Sequence, residues 1–132
     1  MTIELDYLKQ LLEKMLKIEK PYFHVNELTN DLLDHKFIFH LQILADQYYV
    51  VKDHDGSNDI GLNKFGRGQY AWGIVDLRLH AEGHRFAEAL MNDTVWKKLK
   101  SGLSKEFKTL SLETIKSAAG FLVQQSIENS LK

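Results

Sequence analysis

The chain has six histidines and no cysteine, so any metal or nucleophile chemistry must come from imidazoles, carboxylates and hydroxyls. His80 and His84 are four residues apart, the spacing that puts two ligands on one face of a helix. No glutamate follows His80 in the H-E-x-x-H order, and no third ligand accompanies the pair. Gly83 suits a helix beginning better than a metal site, so the histidines read as structural or surface groups. Gly66-x-Gly68 has the look of a phosphate loop, but G-x-x-x-x-G-K-[ST] is missing and no helix opens behind the glycines to offer its N–H groups. Asp53, Asp55 and Asp59 lie in a loop as calcium ligands do, but the D-x-D-G at 53–56 is shifted from the calcium-loop order and lacks the closing glutamate. No G-x-S-x-G and no Ser–His–Asp order is evident. The expectation is a protein with no catalytic residues, no metal and no cofactor.

The elements that position these residues are organised around Val75 to Lys100. Val75, Leu77 and Leu79 alternate with Asp76, Arg78 and His80, which predicts a strand with one apolar face. The period then lengthens: Phe86, Ala89 and Leu90, and next Trp96 and Leu99, recur at helical spacing. Ahead of this stretch, Thr2 can cap a helix to about Glu19, with Leu5, Leu8, Leu12 and Met15 as its stripe. Lys20-Pro21 ends it. Tyr22 to Val25 reads as a short extended link. A second helix runs from Thr29 or Asp34 to Gln47, with Phe37, Leu41, Leu44 and Tyr48 on one face. Tyr49 to Val51 predicts a strand. Residues 52–73 carry five glycines and predict a long, flexible excursion. Ile74 to Leu79 is the return strand. Helices then follow at Glu82–Met91, at Val95 to about Lys100 with Ser101-Gly102 closing it, and from Ser111 toward Leu131. The expected class is α+β and mostly helical: a winged helix (helix-helix-strand-wing-strand) over 1–92, with a helical extension, 93–132, packed on the same domain.

At 132 residues, with 44% hydrophobic and 27% charged side chains, the chain has the composition of an ordinary globule. Its formal charge of -1 argues against a dedicated nucleic-acid binder. The acidic, amphipathic N-terminus is not a signal peptide, and no apolar run is long enough to span a bilayer. A cytoplasmic protein is expected.

The segment LRLHAEGHRFAEALMNDTVWKKLK is similar to a family of small prophage-associated bacterial proteins, domain of unknown function 2513. The family pattern, L-x-L-T-x-x-G-H-x-F-L-x followed by D-x-V-W-x-x-x-K, is met at Leu77, Leu79, Gly83, His84, Phe86, Asp93, Val95, Trp96 and Lys100. His40-Leu41 and Leu44 fit the family's helix before the wing. The chain departs at His80, where the family has a capping threonine. The resemblance implies a winged-helix fold and a phage or prophage origin, and supplies no catalytic residue.

In a winged helix that reads DNA, the outer face of the helix before the wing enters the major groove. Here that face holds His35, Phe39, Gln42, Ile43 and Asp46, with Lys36 the sole cation on the helix. An aspartate repels phosphates, and Phe39 and Ile43 gain little from base edges. These two side chains point to an apolar contact. The cover is either the last helix, whose Phe121, Val123 and Ile127 lie outside its own seam, or a partner protein or second copy. The expected partner-binding set is His35, Lys36, Phe39, Gln42 and Ile43, with Lys64, Phe65, Arg67, Tyr70 and Trp72 on the wing. The leading expectation is a non-enzymatic adaptor that binds a host or phage protein, or itself, and so inhibits a host or host-defence complex. The alternative is a DNA-binding regulator that uses the wing with Lys97, Lys98, Lys100, Lys105 and Lys108, where residues 93–108 carry a local +3.

Overall fold

A computed structural model describes residues 1–106 and 111–130, with the side chains of 103–106 outside that description. The chain is α+β and mostly helical, with five α-helices and two small antiparallel two-stranded sheets among the described residues. It divides into two compact units. One comprises Met1 and Lys14–His84, the other Thr2–Glu13 and the chain from Arg85 onward. The division falls inside α1 (Leu5–Lys17) and inside α3 (Ala81–Met91). The boundary expected at 92/93 falls at the junction of α3 and α4 (Asp93–Glu106).

In the first unit, the segment behind Pro21 is extended. Phe23 exchanges backbone hydrogen bonds of 2.8 and 2.9 Å with Leu77, and a one-turn 3-10 helix, Val25–Glu27, follows. Glu27 closes that turn, accepting from the His24 backbone N–H at 2.7 Å and pairing with Lys20 at 2.8 Å. Lys20 and then the His24 N–H hold the Glu27 carboxyl below its ordinary range.

Helix α2 (His35–Asp46) starts at the Asp34 cap, whose carboxylate accepts from Lys36 N–H at 3.2 Å. This settles between the two starts the sequence allows. Phe37, Leu41 and Leu44 are fully buried, as the periodicity predicts. Tyr48 is not with them: it lies past the helix end and is 51% exposed. Its N–H reaches Ala45 O, Tyr49 N–H reaches Leu44 O, and Tyr48 has φ 59°, the left-handed stop that normally takes glycine. The helical period that would put Tyr48 on the same face stops short of it, because the helix ends at Asp46.

Strand β1 (Val50–Lys52) pairs antiparallel with β4 (Leu77–Leu79), Val51 opposite Arg78. Between them the excursion is ordered. It holds a second hairpin, β2 (Leu62–Lys64) with β3 (Tyr70–Trp72), in the register Asn63 opposite Ala71. The aspartates there shape turns: Asp55 accepts from Ser57 N–H at 3.0 Å and Asp59 from Gly61 N–H at 2.9 Å. Asp53 pairs with Arg78 at 3.3 Å. The return strand is shorter than expected, and Ile74 ahead of it is 90% exposed.

The junction of β1 with α3 explains Gly83. His80 N–H donates to Tyr49 O at 2.8 Å, drawing the start of α3 onto the strand. A Cβ on Gly83 would overlap the Tyr49 carbonyl oxygen and stand 2.8 Å from its Cα. The His80 carbonyl accepts His84 N–H at 2.8 Å and opens the helix.

The second unit draws on the N-terminal part of α1, α3 beyond His84, α4, and α5 (Leu112–Ser130). Helix α1 is shorter at both ends than expected and begins well after Thr2. Asn92 caps α4 through Val95 N–H at 3.0 Å. Ser101-Gly102 does not close α4, which continues to Glu106. Helix α4 packs on α5, which Ser111 caps through Thr114 N–H at 3.1 Å. Leu112, Ile115 and Ala119 of α5 are buried, whereas Phe121 and Ile127 are exposed. No described helix is long and apolar enough to cross a membrane.

Candidate functional site: a groove between helix α2 and the β2–β3 hairpin

The alternation along the hairpin decides where its residues go. Lys64 and Tyr70 are cross-strand partners, as are Leu62 and Trp72, and both pairs lie on one face. Asn63, Phe65, Gln69 and Ala71 on the other face are exposed. The first face lies against the start of α2. Trp72 donates its indole N–H to Leu32 O at 2.7 Å, and its ring stands 6.0 Å from that of Phe37. The Tyr70 ring meets His35 edge-on at 6.2 Å.

This docking leaves a groove of about 350 Å³ beside the outer face of α2, within the size range of binding clefts. His35, Ile38, Phe39, Gln42, Ile43 and Asp46 line it from the helix, Lys64 and Tyr70 from the hairpin, and Met1 at its rim. Phe39 and Ile43 are half-buried, each with part of its side chain open to the groove. Gln42 Nε2 donates to Asp46 Oδ1 at 3.1 Å.

Four of the five partner-binding residues read from the sequence, His35, Phe39, Gln42 and Ile43, thus meet Lys64 and Tyr70 in one place. Lys36 is outside the groove, half-buried, its carbonyl accepting from Nδ1 of the fully buried His40 at 2.7 Å. The wing residues split three ways. Trp72 is an anchor for the hairpin and not a displayed aromatic. Phe65 is 67% exposed. Arg67 has φ 51° at the tip, where Gln69 N–H reaches Gly66 O at 2.9 Å and both central residues have positive φ, as a type I′ turn requires.

The lysine-rich helix lies in the other unit. Lys97 and Lys98 are exposed. Lys100 is engaged: Nζ bonds both carboxylate oxygens of Asp6 at 2.7 and 2.8 Å and stands 5.6 Å from the Trp96 ring centroid, with Lys9 over the same ring at 4.7 Å. The side chain of Lys105, and all of Lys108, lie outside the described residues. His80 and His84 are both exposed, and no three His, Asp or Glu side chains among the described residues form a metal-sized cluster.

Two features escaped the sequence reading. His24 Nε2 and Asp76 Oδ1 lie 2.6 Å apart, joining the 3-10 turn to β4. A second cavity of about 400 Å³ sits at the base of the hairpin among Val25, Leu32, Ile60, Trp72 and Ile74.

No protein-family model, no curated protein and no solved structure matches the chain.

Proposed function

We propose that this chain is a non-enzymatic, phage- or prophage-derived winged-helix protein that acts by protein–protein binding, with the groove face of α2 as a protein-contact surface, and that it inhibits a host or host-defence complex. The supporting observation is that Phe39 and Ile43 lie half-open in a groove whose far wall is the hairpin. Covering the half that each leaves open contributes about 1 kcal/mol per side chain. The winged-helix assignment draws on the order of elements: helix, extended Phe23 bridge, 3-10 turn, helix α2, then β1 and β4 enclosing the β2–β3 wing. The origin draws on the similarity of residues 77–100 to the prophage-associated family.

The test is capture from host lysate with mass spectrometry, comparing the native chain with Phe39→Asp and Ile43→Asp. Proteins that the native chain retains and both folded variants lose support the reading. Identical retention by all three contradicts it.

A second reading, a DNA-binding regulator, keeps the exposed Lys97 and Lys98 and the displayed Arg67 in its favour. Asp46 in the groove and the engagement of Lys100 by Asp6 weigh against it. Tight duplex binding that falls steeply with salt would make it the better account.

A further inference from the structure

We propose that the occupant of the groove is a second copy of this chain, with the two α2 helices antiparallel across a two-fold axis. This rests on the reading of the face as a protein-binding surface and names what binds there.

The two charged side chains of the groove, Lys64 and Asp46, stand toward opposite ends of the helix. His35 lies at one end and Asp46 at the other, eleven residues or ~16 Å apart at 1.5 Å per residue. Lys64 belongs to the His35 end, because its cross-strand partner Tyr70 is the residue whose ring meets His35. Gln42 bonds one Asp46 oxygen and fixes the carboxylate at the far end. Phe39 and Ile43 occupy the stretch between, one helical turn apart.

That pattern is its own complement. His35 and Asp46 are equidistant from the point between His40 and Leu41, and Phe39 and Ile43 flank Leu41 symmetrically. An isologous contact requires that residue i meet j while j meets i. Turning a second α2 antiparallel about an axis at that level does this. Asp46 of each copy then faces Lys64 and His35 of the other, and Phe39 faces Ile43 in the centre. A parallel copy would set like charges together at both ends. The helix dipoles also oppose one another in the antiparallel arrangement, so each positive end adjoins a negative one. A different protein would have to bring this charge order independently, whereas a second copy supplies it from the same residues.

The experiment is sedimentation velocity over a concentration series on the native chain, on Asp46→Lys, on Lys64→Glu, and on an equimolar mixture of the two variants. Both positions are exposed, so both variants should keep the native circular dichroism spectrum. The expected result is a reversible native dimer, association weakened roughly tenfold or more in each variant alone, and association regained in the mixture. In the mixed pair, the native lysine and aspartate meet at one end, and the introduced glutamate and lysine meet at the other. A monomeric native chain at every concentration overturns the proposal. So does a dimer that both variants leave intact, or a mixture that regains nothing. A native monomer whose lysate capture is still lost on Phe39→Asp overturns the second copy alone and leaves the protein-binding reading standing. Capture that Phe39→Asp leaves unchanged removes that reading as well.

Discussion

Helix α2 carries large apolar side chains on two faces, and they meet different fates. Phe37, Leu41 and Leu44 face inward and are fully buried, while Phe39 and Ile43 face the groove and are covered in part. Phenylalanine occurs on both. Residue type therefore does not separate packing from display; position relative to the rest of the fold does. On the inner face none of the three side chains keeps surface open to water. On the outer face the hairpin stands off far enough to leave about 350 Å³ beside the same helix.

The comparison can be broken from either side. Phe37→Ala on the inner face should have the largest effect, a loss of about 3–5 kcal/mol in urea unfolding, because it opens a void against Trp72. Gly83→Ala comes next, at about 1–3 kcal/mol, since the new methyl group must push α3 off the Tyr49 carbonyl. A Gly83→Ala protein of native stability would show that the start of α3 is not held against β1.

Changes on the open side should be smaller. Tyr48→Gly should stabilise the chain by about 0.5 kcal/mol, seen as a raised Tm: the left-handed strain is relieved while the unfolded chain gains freedom. A fall in Tm would mean that the exposed ring contributes contacts that outweigh the strain. The smallest effect belongs to Glu27. Its carboxyl is held below its ordinary value of 4.5, so its contribution is present above that pH and fades as the pH falls through the lowered value. Glu27→Gln should therefore show a shallower loss of urea midpoint between about pH 5 and pH 3 than the native chain. An identical acid limb would show that the Lys20–Glu27 contact does not outlast solution screening.

Much of the first unit was legible because its signals are local. Pro21, the Asp34 cap, the 37/41/44 stripe and the change of period after Leu79 each act within a few residues. That Phe39 and Ile43 stand on a different face of α2 from Phe37, Leu41 and Leu44 was legible too, from the helical period alone. What was not legible depends on partners distant in sequence. Trp72 became an anchor only through the Leu32 carbonyl, forty residues away. The ordered hairpin inside the excursion hid behind glycines that signal turns and flexibility equally. Tyr48 was misplaced because the helix stops on a tyrosine in a backbone conformation that sequence patterns assign to glycine.

The central claim is that Phe39 and Ile43 serve recognition and not packing. Its most direct test is the unfolding free energy of the double variant Phe39→Ala with Ile43→Ala, measured in urea at concentrations where the chain is monomeric. A loss of about 3 kcal/mol or less is the expected result for two half-buried side chains. A loss of about 5 kcal/mol or more, the sum for two core truncations, would place both side chains in the core and contradict the account.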